Sequence, residues 1–198
     1  DNPFRSPIGI GILIWAGYDF IQIFNPFSDS IALALSPIRI TISYLIGFYV
    51  FFKAFQEIRF IKFFLISFLL CSLAGALYGL KQEVFGLTSS EWAYINSDPR
   101  IFSLVYQWGR IRKWSFFSDV SAFGLTMAFS SIVCIILSLG PFKTKYRVAS
   151  VISGLLMIIS MTFSGTRTAT AMVPLGLGIY FLLNMNNRIT IAVAVICL

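Results

Sequence analysis

Residues 61–80 read IKFFLISFLLCSLAGALYGL, an apolar run with Lys62 near its start and Lys81 immediately after its end. A helix needs about 20 mostly apolar residues to cross the hydrocarbon core of a bilayer, and this run meets that length. Comparable runs lie outward on both sides, at 8–24, 38–55, 117–140, 148–164 and 168–183, and another opens near 189. The expected fold is therefore all-α, a polytopic transmembrane helical bundle of about six complete spans plus a truncated seventh. The run from 189 stops at Leu198 without a flanking charge or loop and the chain opens without Met, so residues 1–198 are expected to be part of a single membrane domain in a longer protein.

Composition agrees. Of the 198 residues 58% are apolar, 17% aromatic (21 of them Phe) and only 12% charged, where an ordinary globular chain carries about 25% charged residues. One soluble core of this size cannot hide that much apolar surface, and disordered, collagen-like and disulfide-rich classes are excluded by the same numbers. The three cysteines, Cys71, Cys134 and Cys197, sit inside apolar runs and give neither a disulfide framework nor a metal spacing. The chain has no His, so no histidine base or ligand can come from these residues. The start, Asp1–Pro7, has one basic residue and does not read as a signal peptide.

The formal net charge of +7 invites a nucleic-acid reading, but the basic residues are scattered between apolar runs and no nucleic-acid partner is expected. Two short loops, Lys53–Lys62 and Gly140–Arg147, carry three basic residues each and are assigned to the cytoplasmic side. Alternate threading then puts Asn25–Arg39, Lys81–Phe116 and Ser164–Arg167 outside. Arg5, Lys53, Arg59, Lys62, Lys143, Lys145, Arg147 and Arg188 fall inside. Arg39, Lys81, Arg100, Arg110, Arg112, Lys113 and Arg167 fall outside, against the usual bias. Arginine at a membrane boundary suits bidentate recognition of phosphate or carboxylate; it also snorkels to headgroups or pairs with acids such as Glu91, Asp98 and Asp119.

The external stretch at about 81–116 is the long polar segment and is expected to form an amphipathic loop. Asn96-Ser97-Asp98-Pro99 has turn chemistry, and Ile101, Leu104, Val105 and Trp108 recur at helical spacing, which predicts a short interfacial helix. Trp92, Tyr94, Tyr106, Trp108 and Trp114 alternate with Arg100, Arg110, Arg112 and Lys113. That mixture serves a sugar phosphate, with rings stacking on sugars, or forms an ordinary aromatic belt. Gly75 and Gly79 have the spacing of a close helix contact. Asp19, within the first span, is expected to pair helices, and Asp119 to cap the helix that follows it. No P-loop, nucleophile elbow, zinc-protease or paired-carboxylate motif is present.

The stretches Arg112–Gly124 and Thr162–Ala171, taken with Gln22–Arg39 and Gly79–Gln82, together resemble the O-antigen ligase and O-antigen polymerase family of membrane glycosyltransferases. Arg112-Lys-Trp-Ser-Phe-Phe-Ser-Asp-Val-Ser-Ala-Phe-Gly124 is similar to an external Arg followed by a small residue, an aromatic, Asn or Asp, and a helix. Thr162-Phe-Ser-Gly-Thr-Arg167-Thr-Ala-Thr-Ala is similar to the Ser-x-Ser-Arg-small-small entry to a later helix. Gln22–Arg39 resembles an Asn-Pro segment ending in Arg, and Gly79-Leu-Lys-Gln82 with Gly86 also fits. Val120 stands where Pro is frequent, and Thr166 replaces a Ser while keeping its hydroxyl.

The resemblance implies a C-type glycosyltransferase fold of about a dozen spans in the bacterial inner (cytoplasmic) membrane, with its active face periplasmic. It implies transfer of a glycan from undecaprenyl pyrophosphate to lipid A-core, as in a ligase, or to another repeat unit, as in a polymerase. No metal, nucleotide sugar or other cofactor is implied. The implied partners are the lipid-linked glycan donor, a lipid A-core or glycan acceptor, and membrane lipids. Arg112 and Arg167 would hold the pyrophosphate, with Arg110 and Lys113 as neighbours of weaker claim and Arg39 weaker still. The family's catalytic His lies in a periplasmic loop after the seventh helix, so this stretch is expected to bind donor without turning it over. The rival readings are a non-catalytic transporter or flippase of a lipid-linked anionic glycan, and a membrane scaffold with belt arginines only.

Overall fold

The computed structural model describes residues 3–24, 31–107 and 109–184. Arg188, Cys197, Trp108, the Asn25-Pro26 pair and the run beginning near 189 lie outside the described residues. Among those described, eight α-helices follow one another: α1 (Pro7–Ile21), α2 (Ile31–Ala54), α3 (Ile58–Val84), α4 (Ser89–Asn96), α5 (Pro99–Val105), α6 (Val120–Leu139), α7 (Thr144–Phe163) and α8 (Arg167–Leu183). Between α5 and α6 the short strands β1 (Tyr106–Gln107) and β2 (Arg110–Ile111) pair antiparallel, Tyr106 with Ile111 and Gln107 with Arg110.

The all-α class and a membrane-suited composition hold; the expected six complete spans plus a truncated seventh are not confirmed among the described residues. Among the described residues three are long and apolar enough to cross a bilayer, α3, α6 and α7, while α1 and α8 are shorter apolar helices. Helix ends move where a side chain caps them. The Asp119 carboxylate accepts from the amides of Ser121 and Ala122 at 2.7 and 2.8 Å, which starts α6 at Val120. That bears out the capping role expected of it. Past the expected end at Leu80, α3 continues through Lys81, Gln82 and Glu83 to Val84, and Gly86 follows at φ +79°.

The helix expected through Trp108 ends at Val105 instead. Asp98 starts it by accepting from the Arg100 amide at 2.8 Å, with Pro99 in the first helical position. The chain then reverses between β1 and β2, where Gly109 supplies φ +74°. A periodicity of three and four cannot see this reversal, because the turn depends on a backbone angle at one glycine.

The chain packs as two units, Asp1–Leu65 and Ile66–Leu198. In the first, α1 opens with the Ser6 hydroxyl accepting from the Gly9 amide at 3.0 Å. Trp15 meets Tyr44 of α2 at a ring separation of 5.6 Å. Asp19 is buried and accepts a hydrogen bond from Thr41 of α2, so the expected helix-pairing role is the one it has.

The second unit has a core of Phe123, Met127, Ala128 and Cys134 from α6, Met157 and Met161 from α7, Ala169 from α8 and Ala76 from α3. Hydroxyls inside it are paired. Ser130 donates to Ser72 at 2.8 Å, and Ser160 donates to the Ala76 carbonyl at 3.0 Å. An unpaired hydroxyl in an apolar surround costs on the order of 1–3 kcal/mol, which these contacts avoid. Gly79 permits the approach: a Cβ there would lie 2.6 Å from Phe123 and 2.7 Å from the Ser160 hydroxyl. Gly75 sits against Phe117 in the segment before α6, and a Cβ there would lie 3.5 Å from the Met127 side chain of α6, so the small-residue pair faces side chains packed on it by the neighbouring elements.

Candidate anion site at the mouth of α8

The segment after the β1–β2 ribbon is held at every step. The Arg112 amide donates to the Val105 carbonyl at 2.9 Å and the Lys113 amide to the Phe163 carbonyl at 3.0 Å. Trp114 is buried with Ile95, Val105 and Val120. Anchored in this way, Arg112 extends its guanidinium to the connection between α7 and α8. Nε donates to the Ser164 carbonyl at 2.6 Å, Nη2 to the Thr166 hydroxyl at 3.0 Å and Nη1 to the Gln107 side-chain oxygen at 3.1 Å. The Leu104 carbonyl stands at a longer 3.5 Å from Nη1.

Each of these contacts has a physical reason. Ser164 follows the last residue of α7, where carbonyls lack helical partners and the helix dipole is negative, so a cation is favoured there. Thr166 precedes α8; its hydroxyl accepts from Arg112 and donates to the Val120 carbonyl at 3.3 Å, joining the start of α6 to the start of α8. Because that hydroxyl is engaged, it does not cap α8, and no side chain caps the first turn of that helix. Gly165 adopts φ +60°, and a Cβ there would lie 3.4 Å from Arg112 Nε. At Gly124 a Cβ would lie 2.5 Å from the Ser164 hydroxyl, so a glycine on α6 is what lets the connection approach.

A guanidinium has five N–H donors. Four are engaged here, by Ser164, Thr166, Gln107 and, at the longer distance, Leu104, so the fork is oriented before any ligand arrives. Burial pulls the Arg112 pKa down, and the nearby Asp119 carboxylate acts against that fall. Arginine begins so far above neutrality that the group stays charged. The arrangement combines an oriented cation with the uncapped N-terminus of a 17-residue helix, a combination chemically matched to an anion such as a phosphate.

The other predicted residues divide. Arg167 is the first residue of α8 and is exposed, next in the chain to the threonine that Arg112 binds. Arg110 is exposed on β2, paired with Gln107 across the ribbon. Lys113 turns to Glu83 at 3.5 Å, which occupies its charge. Arg39 is on α2, in the unit Asp1–Leu65, whereas the other four belong to the second unit.

Beside the site is a polar cluster that the sequence reading did not single out. Gln82 is fully buried; its Nε2 donates to Glu91 Oε1 at 2.7 Å, and its Oε1 accepts from the Ser115 amide at 2.8 Å. The Tyr78 hydroxyl donates to Glu91 at 2.9 Å, and Lys81 Nζ lies 3.6 Å from the same carboxylate. Burial opposes ionisation of Glu91, but hydrogen bonds from Gln82, from the Thr88 backbone and hydroxyl, and from Tyr78 together outweigh it and hold its pKa at about 2. Thr88 and Glu91 form a capping box at the start of α4. That spacing, Thr-x-x-Glu, was the available signal. The bond between Gln82 and Ser115 spans 33 positions and has no local signature.

Among the described residues no group of three or more His, Cys, Asp or Glu could hold a metal ion. No protein-family model, curated protein or solved structure matches the chain.

Proposed function

We propose that this chain is the donor-binding part of a membrane glycosyltransferase of the O-antigen ligase or polymerase type. In this reading it holds the pyrophosphate of an undecaprenyl-linked glycan at the periplasmic face. The observation that carries the reading is the bond between the Arg112 guanidinium and the Ser164–Thr166 connection. It unites the two stretches that resemble the family, and it does so at the entry to α8 beside Arg167.

The chemistry is coherent. Breaking the bond between the anomeric carbon and the phosphate oxygen leaves negative charge on the pyrophosphate. Fixed N–H donors that require no reorganisation stabilise that charge most effectively. In this reading Arg112 supplies its remaining N–H donor and its charge, Arg167 supplies a second cation, and the first-turn amides of α8 supply backbone donors. An acceptor hydroxyl would attack the anomeric carbon and lose its proton to a base supplied from outside residues 1–198.

The test is single replacement of Arg112 and Arg167 by Ala in the parent protein. Each variant should abolish surface polysaccharide while the protein stays at its normal level in the membrane. Normal polysaccharide in either variant overturns the site, and accumulation of unflipped lipid-linked donor on the cytoplasmic face supports the transporter reading instead.

A further inference from the structure

We propose that Gln82 is the positioning residue for Arg112: its side-chain amide grips the main chain of Ser115 and so fixes the segment that delivers the guanidinium to the mouth of α8. The proposal rests on the reading of Arg112 as a holder of the donor pyrophosphate.

Gln82 sits in the last turn of α3 and has no solvent exposure. It binds Ser115 on both sides of the amide, Oε1 accepting from the Ser115 N–H at 2.8 Å and Nε2 donating to the Ser115 carbonyl at 3.2 Å. A side chain thus does what a neighbouring strand would do. The need for it is local. Ser115 is the one non-glycine residue at positive φ among the described residues, at +58°. Such a conformation persists where its surroundings over-determine it. A third contact, from the Ser115 hydroxyl to the Gly75 carbonyl at 2.9 Å, completes the hold.

Two residues, Lys113 and Trp114, separate Ser115 from Arg112, and they carry no slack. Trp114 is packed in its own cluster, and the Lys113 amide is bound to Phe163. A shift of Ser115 is therefore passed to the base of the Arg112 side chain. Glu91 determines which way the Gln82 amide faces. An ionised carboxylate only accepts hydrogen bonds, so it takes Nε2, and Oε1 is left for the Ser115 N–H. Gln82 thereby depends on a charge that persists throughout the neutral range.

The experiment uses the parent protein in membranes and measures transfer from an undecaprenyl pyrophosphate-linked glycan. In Gln82→Leu, kcat should fall about 10- to 100-fold with KM little changed, because misplacing a group that acts on developing charge costs rate more than ground-state binding. In Gln82→Glu, shape is kept but the donor is lost whenever the new carboxyl is ionised. The charged or titratable groups around it are Glu91 from α4 and Lys81 and Tyr78 from α3; the connecting segment offers Lys113, which is engaged by Glu83. Burial and Glu91 favour the protonated form, and Lys81 opposes them.

A protonated carboxyl can donate to Glu91 and accept from the Ser115 N–H. Relative to the parent at each pH, Gln82→Glu should therefore be as slow as Gln82→Leu near about pH 8. It should regain about fivefold or more near about pH 5.5. A relative profile that stays flat overturns the proposal, and it decides alone if Gln82→Leu does not accumulate. Normal kcat in Gln82→Leu also overturns it. If Arg112→Ala abolishes transfer while both Gln82 variants are normal, this inference fails and the site reading stands; if Arg112→Ala transfers normally, the site reading itself has failed.

Discussion

Arg112 and Thr166 lie 54 positions apart in the chain, yet the guanidinium Nη2 donates to the threonine hydroxyl at 3.0 Å. The same hydroxyl donates to Val120 at the start of α6. One side chain therefore ties the polar segment, the entry to α6 and the entry to α8 together.

Lysine should not replace Arg112, although the charge is preserved. An ammonium cannot reach Ser164, Thr166 and Gln107 at once from one fork. Arg112→Lys should lower stability by about 1–3 kcal/mol, the value of hydrogen bonds to a charged group. On the proposed function, it should also lower glycan transfer nearly as far as Arg112→Ala. Thermal unfolding in detergent and glycan transfer in membranes measure the two effects.

Gly124→Ala tests the approach of α6 to the α7–α8 connection. The added Cβ would meet the Ser164 hydroxyl at 2.5 Å and Thr166 at 3.0 Å. Overpacking of this kind costs about 1–3 kcal/mol, and here it pushes Thr166 off Arg112. The expected result is a lower melting temperature with a matching loss of transfer. Gly178→Ala, on α8 with open space around its Cβ position, should change neither and serves as the control.

Acid should loosen the polar segment through Glu91. Its folded pKa of about 2 lies below the ordinary 4.5. The carboxylate therefore adds stability that is complete above about pH 4.5 and is lost as pH falls toward about 2. Glu91→Gln should remove that dependence and cost about 1–3 kcal/mol at neutral pH, since the amide nitrogen cannot accept the bonds the carboxylate oxygens receive. Hydrogen exchange at the Thr88 and Ser115 amides, followed against pH in parent and variant, measures it.

Reporter fusions at Ser90 and Thr144 test the topology. Ser90 follows α3 and Thr144 begins α7, with α6 between them. If α6 crosses the membrane, the two fusions report opposite sides, with Thr144 cytoplasmic. Two reports from the same side would remove α6 as a span and with it the external assignment of Arg112.

Much of the fold was legible because its causes are local. The run ending at Leu80, the cap at Asp119, the Asp98-Pro99 start of α5 and the Gly75–Gly79 contact each depend on residues within a turn or two of one another. The reversal after Val105 was not legible, since the amphipathic spacing runs on to Trp108, past the helix end at Val105, while the turn depends on the backbone angle at Gly109. An apolar run records hydrophobicity and not helix length, and the helix can be shorter than its run, as in α1.

The arginines divide along the same line. Composition and charge placement were enough to require an apolar solvent for this chain and to mark Arg112 and Arg167 as unusual, because hydropathy and charge add up residue by residue. They could not tell a guanidinium held by Ser164 and Thr166 from an ammonium spent on Glu83, as at Lys113. Nor could they show that Gln82, an unremarkable residue at the end of a span, grips Ser115 across 33 positions. Hydrogen bonds need a donor and an acceptor within about 3 Å at a workable angle. Residues so far apart in the chain meet that condition only after the helices have packed.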